Sequence, residues 1–133
     1  MALTCPVDLD IASLRDDIQR MYSRVATTPE AEFHFHRGPA YAASKLGYDS
    51  NELAQLPFAV TSSFAGVGNP HAMRRIDRDA VVLDVGCGAG TDLLLAALRI
   101  GPNGRAIGVD MTLDMRERAI SGAEASGLTR RCT

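Results

Sequence analysis

Val81–Asp92 reads VVLDVGCGAGTD, an apolar run that breaks into three alternating glycines. The run Val81-Val82-Leu83-Asp84-Val85 is nearly continuous in apolar residues, as expected of a strand covered on both faces. Gly86, Gly88 and Gly90 allow a tight turn, and they bring backbone N–H groups close to a ligand at the start of the next helix. Working outward, the spacing predicts a strand over Ala80–Val85, a helix over Thr91–Ile100, a turn at Gly101-Pro102-Asn103-Gly104, a second strand over Arg105–Asp110 and a second helix from Thr112 to about Ser126. Strand, helix, strand, helix at these lengths is a βαβα unit with parallel neighbouring strands.

The ligand class follows from charge and spacing. A dinucleotide fingerprint, G-x-G-x-x-G, needs glycine at position 91, where this chain has Thr91. Asp84 stands near the carboxyl end of its strand, where open α/β sheets bind ligands, and its charge repels a pyrophosphate but favours a cationic group. S-adenosylmethionine carries an α-ammonium and a sulfonium and has no phosphate. The second strand, Ala106-Ile107-Gly108-Val109-Asp110, ends in another acid about 20 residues beyond the glycines, placed to accept hydrogen bonds from two ribose hydroxyls. Met111 is open between an apolar contact to an adenine ring and core filling. Cys87 reads as a small turn residue whose backbone faces the ligand, not as a nucleophile. An NAD-binding oxidoreductase module is the competing nucleotide reading and requires the glycine spacing to mislead.

VVLDVGCGAGTD followed by GPNGRAIGVDMT resembles the first half of the cofactor domain of the class I S-adenosylmethionine-dependent methyltransferases. With GVGNP at Gly66–Pro70, the pattern is similar to that of the bacterial arsenite methyltransferases, over roughly Leu46 to Leu128 and more loosely the N-terminal helix. The resemblance implies a methyltransferase with S-adenosylmethionine as cofactor and a small-molecule methyl acceptor. It places Asp84, Gly86, Cys87, Gly88, Gly90, Asp110 and Met111 around the cofactor and names no catalytic base. Two departures matter. Val67 stands where those enzymes typically carry a cysteine, and Cys5 and Cys132 lie outside the matched region. Trivalent arsenic requires soft thiolate ligands, so this speaks against arsenite as acceptor. The family's parallel sheet is also larger than the two strands expected here, and TRRCT at the end offers no third strand. The alternative expectation is therefore a truncated, non-catalytic cofactor-binding fragment that needs a partner chain, with the free edge of the second strand inviting self-association.

The expected architecture is α/β, with an N-terminal helical or cap segment over 1–78 and a partial Rossmann-like cofactor domain with an incomplete parallel sheet over 79–133. In the first segment, Leu9 to Val25 has the periodicity of an amphipathic helix. EFHFHRGPAY alternates like a short strand, Pro39–Leu46 reads as a helix closed by Gly47, and Asp49 or Ser50 caps a helix over Asn51–Leu56. SSFAGVGNP reads as a loop whose backbone comes close to something, followed by a short helix through Met73. His34 and His36 have H-x-H spacing without an identifiable third ligand, which favours a solvent-facing or substrate-lining pair over a metal site. Tyr22, Tyr41 and Tyr48 either cover the cofactor pocket or fill the N-terminal core. His71 either caps a short helix or sits over the methyl donor.

The bulk composition is that of a globular chain: 133 residues, 46% hydrophobic, 23% charged, formal net charge −2. No dense basic segment suggests a nucleic-acid partner, and no window approaches the roughly 20 apolar residues of a membrane span. Three scattered cysteines and an opening MALTCPVDLD without a basic, apolar leader give a cytoplasmic expectation.

Overall fold

The computed structural model describes residues 9–133, so Cys5 lies outside the described residues. Helix α1 spans Ile11–Thr27 and starts where Asp10 accepts hydrogen bonds from the N–H groups of Ala12 and Ser13. It buries Val25 and Ala26. Helix α2, Gly38–Leu46, ends at Gly47 in the left-handed region (φ 71°). Helix α3, Ser50–Leu53, is capped by Asp49 but is shorter than the sequence suggests, and a further turn, α4, covers Phe58–Thr61. The loop over residues 62–69 leads into a 3-10 turn at Pro70–Ala72.

Strand β1 (Val81–Val85) and strand β2 (Arg105–Val109) pair in parallel, Val81 opposite Arg105 and Val85 opposite Val109. Helix α5, Thr91–Arg99, links them, and helix α6, Leu113–Ala125, follows β2. This is a partial Rossmann-like arrangement, with the four elements within about two residues of their expected bounds. One apolar cluster runs across residue 78: Ala42, Tyr48, Leu53, Leu56, Val60 and Phe64 pack with Leu93, Leu94, Leu95, Ile100 and Ala106.

Two expectations need correction. The EFHFH segment forms no strand. Its burial does alternate, with Phe33 and Phe35 turned toward Val25, Ala26, Ala89 and Met115 and both histidines exposed, but no neighbouring strand receives its backbone. The ending TRRCT does begin a second parallel pairing. Ala106 N–H donates to the Arg131 carbonyl (2.6 Å), Thr133 N–H to the Ala106 carbonyl (3.0 Å) and Gly108 N–H to the Thr133 carbonyl (2.9 Å). The outer edge of β2 is thus occupied by the chain's own residues from Ala106 to Gly108. The edge without a strand partner among the described residues is that of β1.

Candidate functional site

A cleft of about 610 Å³ opens at the carboxyl ends of the two strands, a size typical of small-molecule sites. Its floor is the glycine turn. Gly86, Gly88 and Gly90 all have positive φ (77°, 53° and 93°), which fixes glycine as the residue type there. A Cβ added at Gly86 or Gly88 would meet no atom within 4 Å, so the missing side chains leave open space for a ligand at the cleft floor. Gly90 has a different reason: a Cβ there would lie 3.0 Å from that of Ala119 on α6.

Four of the five backbone donors of this turn are satisfied within the protein, which corrects the expectation that the glycines' own N–H groups face a ligand. Gly86 and Cys87 N–H donate to the Val109 carbonyl, Gly90 N–H to the Cys87 carbonyl, and Gly88 N–H to Asp110 Oδ2 at 2.9 Å. A phosphate-binding glycine loop works by presenting free N–H groups, and those of all three glycines are taken. The only charged side chains lining the cleft, among the described residues, are Asp92 and Asp110. The site therefore suits a cationic or neutral ligand and not a pyrophosphate.

Asp110 also accepts from Thr112 N–H through Oδ1 (2.8 Å), so the one carboxylate ties the glycine turn to the entry of α6. Each oxygen keeps a lone pair for a ligand hydroxyl. Met111 is partly exposed on the cleft wall, and its carbonyl accepts from Gln19 Nε2 (3.2 Å), which holds α1 against the site. Cys87 lines the cleft with its thiol pushed up to about 11 by burial and then by the nearby Asp84 and Asp110 carboxylates, a poor nucleophile.

Asp84 and Gly90 do not line the cleft. Asp84 faces a second depression of about 430 Å³ at the open edge of β1, shared with His71 and Asp92. Its Oδ2 is buried without a hydrogen-bond partner, and its carboxyl is pushed above the ordinary value by that burial and then by the charge of Asp92. His71 is neither a cap nor a cleft residue. Its Nε2 stands 3.1 Å from Asp92 Oδ1, off the line of a hydrogen bond but within ion-pair range. Tyr48 fills the core against Phe64 and donates its hydroxyl proton to Asp92 Oδ1 (2.7 Å), with the Gly68 carbonyl 3.1 Å away. Burial, and then this bond to Asp92, raises the Tyr48 phenol well above its usual range.

Tyr22 lines the cleft, the first of the two alternatives open for it, while Phe64, Val67, Asp92 and Met115 line it without having been singled out for it individually. The loop expectation for SSFAGVGNP did carry the signal, because Ser63–Val67 forms one wall. Val67 is 95% exposed at its rim. Tyr41 stacks on His36, away from the cleft, at 5.5 Å between centroids. The described residues contain no group of three or more His, Cys, Asp or Glu placed to hold a metal ion, and no helix among them is long and apolar enough to cross a membrane.

A family model described as "Methyltransferase domain" matches residues 76–133. Residues 76–133 are thus similar to a methyltransferase domain. The chain is also similar to an arsenite methyltransferase of Halobacterium salinarum, 41% identical over 80 residues that cover 60% of this chain and 20% of the relative. A second similarity is to an uncharacterized 37.1 kDa protein in transposon TN4556 of Streptomyces fradiae, 51% identical over 37 residues, 28% of this chain and 11% of that protein. The chain thus spans about a fifth or less of the length of these relatives. The matched segment contains the glycine turn, both strands and the two helices that shape the cleft.

Proposed function

We propose that this chain binds S-adenosylmethionine in the cleft above the glycine turn and belongs to a methyltransferase that acts on a small acceptor. The observation that carries the reading is the inward commitment of the three glycines' N–H donors, combined with a cleft whose charged lining is acidic. The residues fit the cofactor. Open space over Gly86 and Gly88 admits its methionine chain, Asp110 has acceptor capacity for ribose hydroxyls, and Met111 and Met115 offer apolar contact to a base. When bound, the cofactor supplies an electrophilic sulfonium methyl for in-line displacement.

The chain's own contribution to such a step is placement. Asp110 locks the turn relative to β2, while Gln19 holds α1 beside Met111, so the cleft walls are set before a ligand arrives. At the rim, Val67 presents an apolar side chain on a loop flanked by Gly66 and Gly68. This favours an organic acceptor over a thiolate-bound metalloid. Isothermal titration of the chain with S-adenosylhomocysteine and with NAD tests the cofactor reading. Binding of the first alone is expected, and binding of NAD alone overturns it. An acceptor screen on the cofactor-binding chain then separates a competent transferase from a binding fragment.

A further inference from the structure

The acid expected to meet the cationic end of the ligand, Asp84, is turned away from the cleft, whereas Asp92 lines it. Asp92 is the second residue of α5, where the helix dipole favours a negative charge. Its Oδ1 accepts from the Tyr48 hydroxyl at 2.7 Å, and His71 Nε2 stands 3.1 Å from the same oxygen without hydrogen-bond geometry. No protein group among the described residues donates to Oδ2, and the side chain keeps 25% of its surface open. Tyr48 and His71 are themselves fixed: Tyr48 packs edge-on to both Phe64 and His71, and the His71 side chain is 6% exposed. A carboxylate anchored through one oxygen and open at the other is an oriented acceptor.

We propose that Asp92, and not Asp84, takes the ammonium of the ligand in the cleft, and that Tyr48 is the positioning residue that aims it. The inference rests on the cofactor reading above and deepens it. The surrounding charges agree. Asp110 is occupied by two backbone donors, and Arg116 turns to the Asp110 carbonyl (2.9 Å) without lining the cleft. No Lys or Arg side chain among the described residues enters the cleft to neutralise Asp92, and His71, the basic group within ion-pair range of it, stands outside the cleft at Oδ1 and leaves Oδ2 without a partner. Asp84, with a buried oxygen that lacks a partner, behaves as a neighbour that yields its charge in favour of Asp92.

Two probes separate the ammonium from the rest of the ligand: S-adenosylhomocysteine, which carries it, and 5′-methylthioadenosine, the same nucleoside thioether without the amino acid. Isothermal titration is run on the full chain and its variants. Wild type prefers the first probe, and Asp92→Asn loses about 10-fold or more of that affinity, the scale of a charge-assisted hydrogen bond, with 5′-methylthioadenosine affinity unchanged. Tyr48→Phe, which keeps the ring packing, loses roughly 3- to 10-fold for the first probe alone, the scale of a neutral bond. Asp84→Asn leaves the ratio of the two affinities as in wild type. Equal weakening of both probes by Asp92→Asn, a selective loss in Asp84→Asn instead, or a wild type that does not distinguish the probes overturns the inference while leaving the cofactor reading intact. A wild type that binds neither probe overturns both. Should Asp92→Asn fail to fold, an unchanged affinity ratio in Tyr48→Phe is sufficient to overturn it.

Discussion

The two faces of the small sheet have opposite fates. On one face Val82, Asp84, Ala106 and Gly108 lie beneath α5, so closely that a Cβ at Gly108 would come within 2.7 Å of Leu93 and 2.9 Å of the Cys87 sulfur. On the other, Val81, Leu83 and Val85 are 70%, 61% and 77% exposed. Both faces are built from the same apolar alphabet, so the residues do not distinguish them. What does is the crossover: α5 and α6 both pack on the first side. The lesson is that a continuous apolar strand announces two partners, whereas the residues described here supply one.

The contrast can be tested at its strongest point first. Leu94, fully buried under the covered face, should lose about 2–5 kcal/mol of stability on Leu94→Ala, read from urea unfolding. Gly108→Ala should cost about 1–3 kcal/mol in the same assay, because Leu93 and Cys87 must move to admit one methyl. Leu83→Thr, on the bare face, should change stability by no more than about 0.5 kcal/mol while reducing self-association in sedimentation. A cost at Leu83 comparable to that at Leu94 would show that the exposed face is covered in solution.

Asp84 sharpens the same comparison through pH, being the one ionisable group among the strand residues of the covered face. Its carboxyl is raised above 3.8 in the folded chain by burial and then by Asp92. Below 3.8 it is protonated whether folded or not, and its ionisation costs nothing. Above its folded value it is charged in both states, so the stability it lent in acid is lost. Asp84→Asn should therefore raise the melting temperature at neutral pH, and the gain should shrink as the pH falls toward 3.8. A variant that is less stable at neutral pH would show that the charged form is held by a partner. The smallest effect is chemical: with its thiol near 11, Cys87 should be alkylated only slowly by iodoacetamide at pH 8, as followed by mass spectrometry.

Much of this arrangement was legible in the residues. The period change at Ala80, the glycine turn and the caps at Asp49 and Gly47 are local features, and local features survive folding. The pairing of Arg131–Thr133 was not legible, because a short polar ending carries no strand pattern; the unfilled donors and acceptors of β2 create it. Alternation at EFHFH was a true signal of one-sided burial that left the segment ambiguous as a strand, since periodicity reports a buried face and not the presence of a neighbour. Helix α4 escaped notice because four residues are too few to show a period, and Phe58 at its start is exposed. For the site, spacing located the turn and the acid of β2. It did not tell which of Asp84 and Asp92 enters the cleft, as that depends on how α5 is rotated over the sheet.

The hydrogen bond from Gln19 to the Met111 carbonyl joins residues 92 positions apart, and the Arg118 contact with Ala59 joins residues 59 apart. Such long loops must close before either contact rewards the chain, which slows folding. On the ribosome the early helices emerge first, with Leu53, Leu56, Val60 and Phe64 lacking the α5 leucines that later cover them. The order of synthesis thus leaves this apolar surface waiting for α5.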